Sequence, residues 1–122
     1  MKILFIGDIV GKPGREAVRI LLPKLKSQHS LDFVIANAEN ASGGSGITQK
    51  VSEELFNYGV DVLTSGDHIW KKKETFELVN YEERILRPLN YPSGAPGNGK
   101  RIFKTKGQER IGVINVNGRV FM

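Results

Sequence analysis

Asp32-Phe33-Val34-Ile35-Ala36-Asn37-Ala38-Glu39-Asn40 is the stretch that decides the fold. Its apolar part, Phe33 to Ala36, is too short for a helix and shows no polar/apolar alternation. Asp32 to Asn37 therefore reads as a buried strand, the habit of parallel sheets. Two further runs of the same kind flank it. Upstream, Lys2 to Gly7 (Lys-Ile-Leu-Phe-Ile-Gly) is apolar and closes on Gly7-Asp8; downstream, Val60 to Thr64 leads into Ser65-Gly66-Asp67-His68.

Helical spacing fills the intervals. Between the first two strands, Pro13 suits a helix start, and Val18, Leu21, Leu22 and Leu25 recur at helical period through Lys26. Pro23 inside that pattern is expected to bend or end the helix. After the second strand, Thr48 is placed as an N-cap, Val51, Leu55 and Phe56 supply an apolar face, and Gly59 stops the helix. The order βαβαβ predicts an α/β fold with a largely parallel sheet and helices on both faces. Further along, Lys72 to Asn80 is expected as a short helix with Phe76 and Val79 inward, and Ile85 to Leu89 as a fourth strand that Pro88 confines to an edge or an end. Tyr91 to Lys100 is rich in Pro, Gly and Asn and reads as a long loop. A C-terminal β-hairpin follows, Arg101 to Thr105 and Arg110 to Asn115, turning at Lys106 to Glu109.

The chain has 122 residues, 39% hydrophobic and 25% charged, which is one globular domain spanning 1–122 and excludes a disordered tail. Cysteine is absent, so there is no disulfide framework, thiolate nucleophile or thiolate metal site. No run reaches the roughly 20 apolar residues of a membrane span, and the apolar start is too short for a signal-peptide core. A cytoplasmic protein away from membranes is expected. The net charge of +5 favours anionic ligands, but the bases are dispersed and only Lys71-Lys72-Lys73 forms a run. The ending Arg119-Val120-Phe121-Met122 is apolar where termini are usually polar, and suggests a chain cut inside a larger fold.

The chemistry gathers at the strand ends. Ligands of open α/β sheets bind beyond the carboxyl ends of the strands. Parallel pairing brings Asp8, Glu39, Asn40, Asp67 and His68 to that one edge. Taken singly, Gly7-Asp8 is a turn or cap, Glu39-Asn40 a solvated corner, and His68 a structural or surface histidine. Taken together they are a carboxylate, amide and imidazole set suited to Mn, Fe, Zn or Mg. The loop Ser42-Gly43-Gly44-Ser45-Gly46-Ile47-Thr48 reads either as an anion nest before a helix or as a flexible connector. It is no P-loop, because no Gly-Lys-Ser/Thr follows. Gly11-Lys12-Pro13-Gly14-Arg15 lacks dinucleotide spacing, although Lys12 or Arg15 is placed to reach a phosphate. Trp70 is either a pocket wall or core packing.

Three motifs in order resemble a known family: Phe5-Ile6-Gly7-Asp8-Ile9-Val10-Gly11-Lys12-Pro13-Gly14-Arg15, Asn37-Ala38-Glu39-Asn40-Ala41 with its glycine loop, and Thr64-Ser65-Gly66-Asp67-His68-Ile69-Trp70. With Arg87-Pro88-Leu89-Asn90-Tyr91-Pro92 they are similar to bacterial YmdB-type, calcineurin-like metallophosphoesterases, over essentially the whole chain. That resemblance implies half of a metallophosphoesterase sandwich and a phosphodiesterase acting on cyclic nucleotides or related phosphodiesters through two divalent metal ions. It implies Asp8 as ligand of one metal, Glu39 as the shared carboxylate, Asn40 and Asp67 as ligands of the second, and His68 as the acid near the leaving oxygen. The family usually has Asn in a Gly-Asn-His motif where this chain has Asp67; the extra negative charge would tighten a cation and repel phosphate. Family members are longer, and their second half supplies further histidines, whereas this chain has only His29, expected at the surface, and His68. Weak metal binding and little turnover are therefore expected of this chain alone. The alternative readings are a non-catalytic nucleotide- or RNA-binding module of the same fold, and an assembly piece forming a homo-oligomer.

Overall fold

The computed structural model describes residues 1–119. The apolar residues at 120–122, on which the expectation of a cut chain rests, lie outside the described residues. In chain order the elements are β1 (Ile3–Ile6), α1 (Gly11–His29), β2 (Phe33–Asn37), α2 (Gln49–Tyr58), β3 (Val62–Thr64), a 3-10 turn (Asp67–Lys71), α3 (Glu74–Tyr81), β4 (Lys100–Lys104) and β5 (Arg110–Ile114).

The first three strands form a parallel sheet in the order β1-β2-β3. Ile3 aligns with Phe33 and Ile6 with Ala36; Ile35 aligns with Val62 and Asn37 with Thr64. Sequential strands joined by right-handed crossovers carry both connecting helices to the same face. That is the arrangement found: Arg15 of α1 pairs with Glu54 of α2 at 3.3 Å, and Lys26 Nζ donates to the Gly59 carbonyl at 3.0 Å. Beneath the helices lies the main core, with Val34, Ala36 and Leu63 from the sheet against Val18, Leu22, Val51 and Leu55. The expectation of helices on both faces is met on this face alone. The other face is taken by the antiparallel β4-β5 hairpin, through a smaller core of Phe33, Ile35, Val62, Leu86 and Val113. Phe33 and Phe103 meet there with ring centroids 5.9 Å apart. Both cores are continuous with β2, which explains why its apolar run is unbroken.

Three local expectations are corrected. Helix α1 does not stop at Pro23 but runs on to His29. Pro23 and Arg19, whose carbonyl would have taken the missing N–H, are both exposed, so water can serve that carbonyl while buried Val18 and Leu22 hold the helix to the sheet. Phe76 is not inward: Thr75, Leu78 and Val79 are the buried face of α3, and Phe76 stacks on Trp70 at 5.5 Å. The fourth strand is reduced to bridges, Leu63 with Ile85 and Leu86 with Asn98. Its role is nevertheless structural. Leu86 N–H donates to Leu63 O, Arg87 N–H to Asn98 O, and Leu89 N–H to Asn115 O, so residues 84–89 stitch the parallel sheet to the hairpin.

Strand β1 is left at an edge, with Ile3 and Phe5 exposed. Among the described residues no helix is long and apolar enough to cross a membrane. The Thr48 N-cap is as expected: its hydroxyl accepts from Val51 N–H at 3.2 Å, and the helix ends on left-handed Gly59, whose N–H reaches Leu55 O and Phe56 O. Because Thr48 Oγ1 also meets Ser42 Oγ at 3.3 Å, Thr48→Ala should cost about 1 kcal/mol, read as a lower urea midpoint with unchanged slope.

Candidate active site

Parallel register sets the strand ends level, and short turns carry the polar residues over them. Ile9 N–H donates to Asn37 O at 3.0 Å and Gly11 N–H to Asn40 O at 3.0 Å, which binds the turn after β1 to the turn after β2. Ala38 N–H donates to Thr64 O at 3.0 Å, which binds β2's turn to the end of β3. Asp8, Glu39, Asn40 and His68 meet along this seam.

Asn40 is the hub. Its Nδ2 donates to both oxygens of Asp8, at 3.1 and 2.9 Å. An ionised carboxylate only accepts, so this contact fixes the orientation of the Asn40 amide. Asn40 Oδ1 consequently faces His68 Nδ1, and the close contact between them is a hydrogen bond in which Nδ1 carries the proton. His68 Nε2 is left as the atom available to a ligand. Glu39 lies beside this chain of bonds. Its Oε2 accepts from His68 N–H at 3.3 Å, its own N–H donates to Asn37 Oδ1 at 3.1 Å, and its Oε1 takes a longer contact from Asn37 Nδ2 at 3.4 Å. The carboxylate rests directly on Gly66: a Cβ there would sit 2.5 Å from both oxygens.

The fifth expected residue stands apart. Asp67 opens the 3-10 turn, is exposed, and has no hydrogen-bond or ion-pair partner among the described residues. Among the described residues no three Asp, Glu or His side chains converge as a metal-holding group. What the edge offers is a partial set of hard and borderline donors, carboxylate, amide and imidazole, held on rigid strand ends. That chemistry suits a divalent cation completed by further donors.

The phosphate-binding expectations fare differently. The glycine loop spends much of its backbone on itself: Ser42 N–H donates to Gly46 O, Thr48 N–H to Ser42 Oγ, and Gly46 N–H to Glu39 O. It acts as a brace under Glu39. Arg15 is likewise committed, donating to Ala41 O at 2.6 Å while pairing with Glu54. Trp70 packs, stacked on Phe76 and edge-on to Tyr91 at 5.7 Å.

Three residues of the site escaped the sequence reading. Asn37 and Gly66 hold Glu39, and Asn115 holds the end of β3: it is buried, and its Nδ2 donates to Ser65 O at 2.9 Å and Leu86 O at 3.0 Å. Asn37 alone carried a signal, as a polar residue closing an apolar strand two positions before a carboxylate.

Fold and site together define an α/β protein with an acid, amide and imidazole cluster on the carboxyl edge of a parallel sheet. The chain belongs to the family described as YmdB-like protein, whose family model matches residues 4–122. It is 45% identical over 122 residues to a 2',3'-cyclic-nucleotide 2'-phosphodiesterase of Bacillus subtilis (strain 168), covering 100% of this chain and 46% of that protein. Among solved structures it is similar to a hypothetical protein from Thermus thermophilus, with TM-score 0.91 and 41% identity over 100% of this chain and 47% of the other. It is similar also to a novel phosphatase from Mycoplasma pneumoniae, with TM-score 0.88 and 34% identity over 97% of this chain and 43% of the other. The chain thus spans under half the length of the curated relatives it matches.

Proposed function

We propose that this chain is the N-terminal portion of a metal-dependent phosphoesterase that hydrolyses phosphodiesters, cyclic nucleotides among them. The observation that carries the reading is the hydrogen-bonded line Asp8–Asn40–His68 with the Glu39 carboxylate beside it, all on the carboxyl edge of the sheet. The name of the Bacillus subtilis relative supports the substrate class.

In this reading Asp8, Glu39 and Asn40, together with Asp67 from the exposed start of the 3-10 turn, would be the chain's share of the ligands for two divalent ions, of Mn, Fe, Zn or Mg. Such ions supply Lewis-acid polarisation of a phosphoryl oxygen and stabilise the charge of an in-line transition state. The chain's own residues do the rest. Asn40 orients His68 through Nδ1, which leaves Nε2 as the atom that would face the leaving oxygen as its acid. Glu39 is fixed over Gly66, so its oxygens need not reorganise when charge develops.

The test is elemental analysis after equilibration with Mn²⁺ and desalting, together with hydrolysis of a 2',3'-cyclic nucleotide. Weak Mn²⁺ retention, abolished by Asp8→Ala, with little turnover, is the expected result for a partial ligand set. Retention identical in the wild type and Asp8→Ala, or none at millimolar Mn²⁺, would overturn the metal assignment.

A further inference from the structure

We infer that Asn37 is a positioning residue for Glu39, holding that carboxylate at the sheet edge before any metal or substrate arrives. The inference rests on the proposed role of Glu39 in the site, and adds the group that sets its geometry.

Asn37 is the last residue of β2, half-buried, with its backbone aligned to Thr64 of β3. Its main-chain carbonyl accepts from Ile9 N–H, so the same residue anchors the turn that carries Asp8. Its side chain turns back over its own strand end. Oδ1 takes the Glu39 N–H at 3.1 Å, and Nδ2 reaches Glu39 Oε1 at 3.4 Å. His68 N–H takes the other carboxylate oxygen, and Gly66 forms the floor. One acceptor and one donor are needed two atoms apart, at the reach of a single methylene. Only an Asn side chain supplies both: Asp lacks the donor and Gln is a methylene too long. A flexible glutamate would otherwise sample several rotamers at a half-exposed edge, and ordering it on metal binding would cost side-chain entropy. Groups that orient metal ligands in this way typically change metal affinity 10–100-fold when removed.

The decisive measurement is amide hydrogen exchange by NMR on the metal-free chain, at the Glu39 and His68 N–H groups. Both are expected to be protected in the wild type. In Asn37→Ala both lose protection, because the Glu39 N–H has lost its acceptor and the carboxylate that accepts from His68 is no longer held. In Asn37→Asp the Glu39 N–H keeps its acceptor, while repulsion between two carboxylates drives Glu39 off and His68 loses protection. Amides in the middle of β1, β2 and α2 stay protected in Asn37→Asp, which separates positioning from general loosening. His68 protection unchanged in both variants, or absent from the wild type, overturns the inference. Mn²⁺ retention is then compared and falls about tenfold or more in Asn37→Ala; equal retention overturns the link to the metal. A wild-type chain that holds no Mn²⁺ counts against the proposed metal site, and the exchange pattern still decides the role of Asn37.

Discussion

Gly66→Ala should leave the chain folded and disable the edge on which the function depends. Gly66 has φ −136° and ψ −151°, an extended conformation open to any residue, so glycine is not required there by the backbone. Space is the requirement. An added Cβ would lie 2.5 Å from both oxygens of Glu39 and 2.8 Å from its carboxyl carbon. The obstructing group is the tip of a flexible side chain that is only half-buried, so it yields by rotating away and the core is untouched. The cost falls on the site: Glu39 loses its contacts with Asn37 Nδ2 and His68 N–H. Mn²⁺ retention should drop by about 10–100-fold, the range found when groups orienting a metal ligand are removed. The melting temperature should move by less than the roughly 4 °C that 1 kcal/mol represents in a small domain. An alanine variant that retains Mn²⁺ like the wild type would show that Glu39 does not need this cradle, and one that fails to fold would show that Gly66 has a structural role the contacts do not reveal.

The contrast between Glu39 and its supports explains how much of this protein was legible in the sequence. The three parallel strands announced themselves because β2 is buried on both faces and therefore has no polar register to hide its run. The chemistry at their ends was legible for a related reason: parallel pairing places every strand's last residues on one edge, so Asp8, Glu39, Asn40 and His68 could be grouped from topology alone. Asp67 fits that rule in position, but it opens a 3-10 turn, is exposed and stands outside the hydrogen-bonded line, and no periodic pattern foretold that turn. The supports were illegible because they act across long sequence separations. Gly66 receives a carboxylate from 27 positions earlier, and Asn115 binds Ser65 across 50. A glycine after a strand and an asparagine after a hairpin are ordinary punctuation until the partner is known. Pro23 misled for the opposite reason: its local rule is sound, and burial of Val18 and Leu22 outweighed it at an exposed position.

Gly99→Ala should be the most destabilising of the glycine-to-alanine changes, and its effect should reach the site from the far side of the sheet. Gly99 is buried just before β4, where residues 84–89 cross the start of the hairpin. A Cβ at this position would sit 2.3 Å from Leu89 Cα, 2.6 Å from its nitrogen and 2.6 Å from its Cβ. Unlike the glutamate over Gly66, this obstruction is main chain, flanked by Pro88 and held by Leu89 N–H on Asn115 O at 2.7 Å. Relief requires moving the crossing segments apart. That breaks Leu89 to Asn115 and strains Asn115 N–H on Gly99 O at 2.8 Å. Overpacking of this kind usually costs about 1–3 kcal/mol and occasionally more, and contact with fixed backbone places Gly99→Ala at or above the upper end. Against a total stability of about 5–15 kcal/mol, that is a large fraction. Urea unfolding should show a midpoint lowered by about 1 M or more for a slope of about 1–3 kcal/mol/M. The consequence for function follows from Asn115, whose amide holds Ser65 O and Leu86 O. If the hairpin shifts, Ser65 is released, and with it Gly66 and the turn that presents His68. Amide exchange at Ile69, whose N–H donates to Gly66 O at 3.2 Å, should therefore quicken in the folded variant well before global unfolding. A midpoint unchanged from the wild type would mean that the segments at Leu89 and Gly99 part freely, and the hairpin would then be a cover over Phe33, Ile35 and Val62 rather than the brace that holds the end of β3.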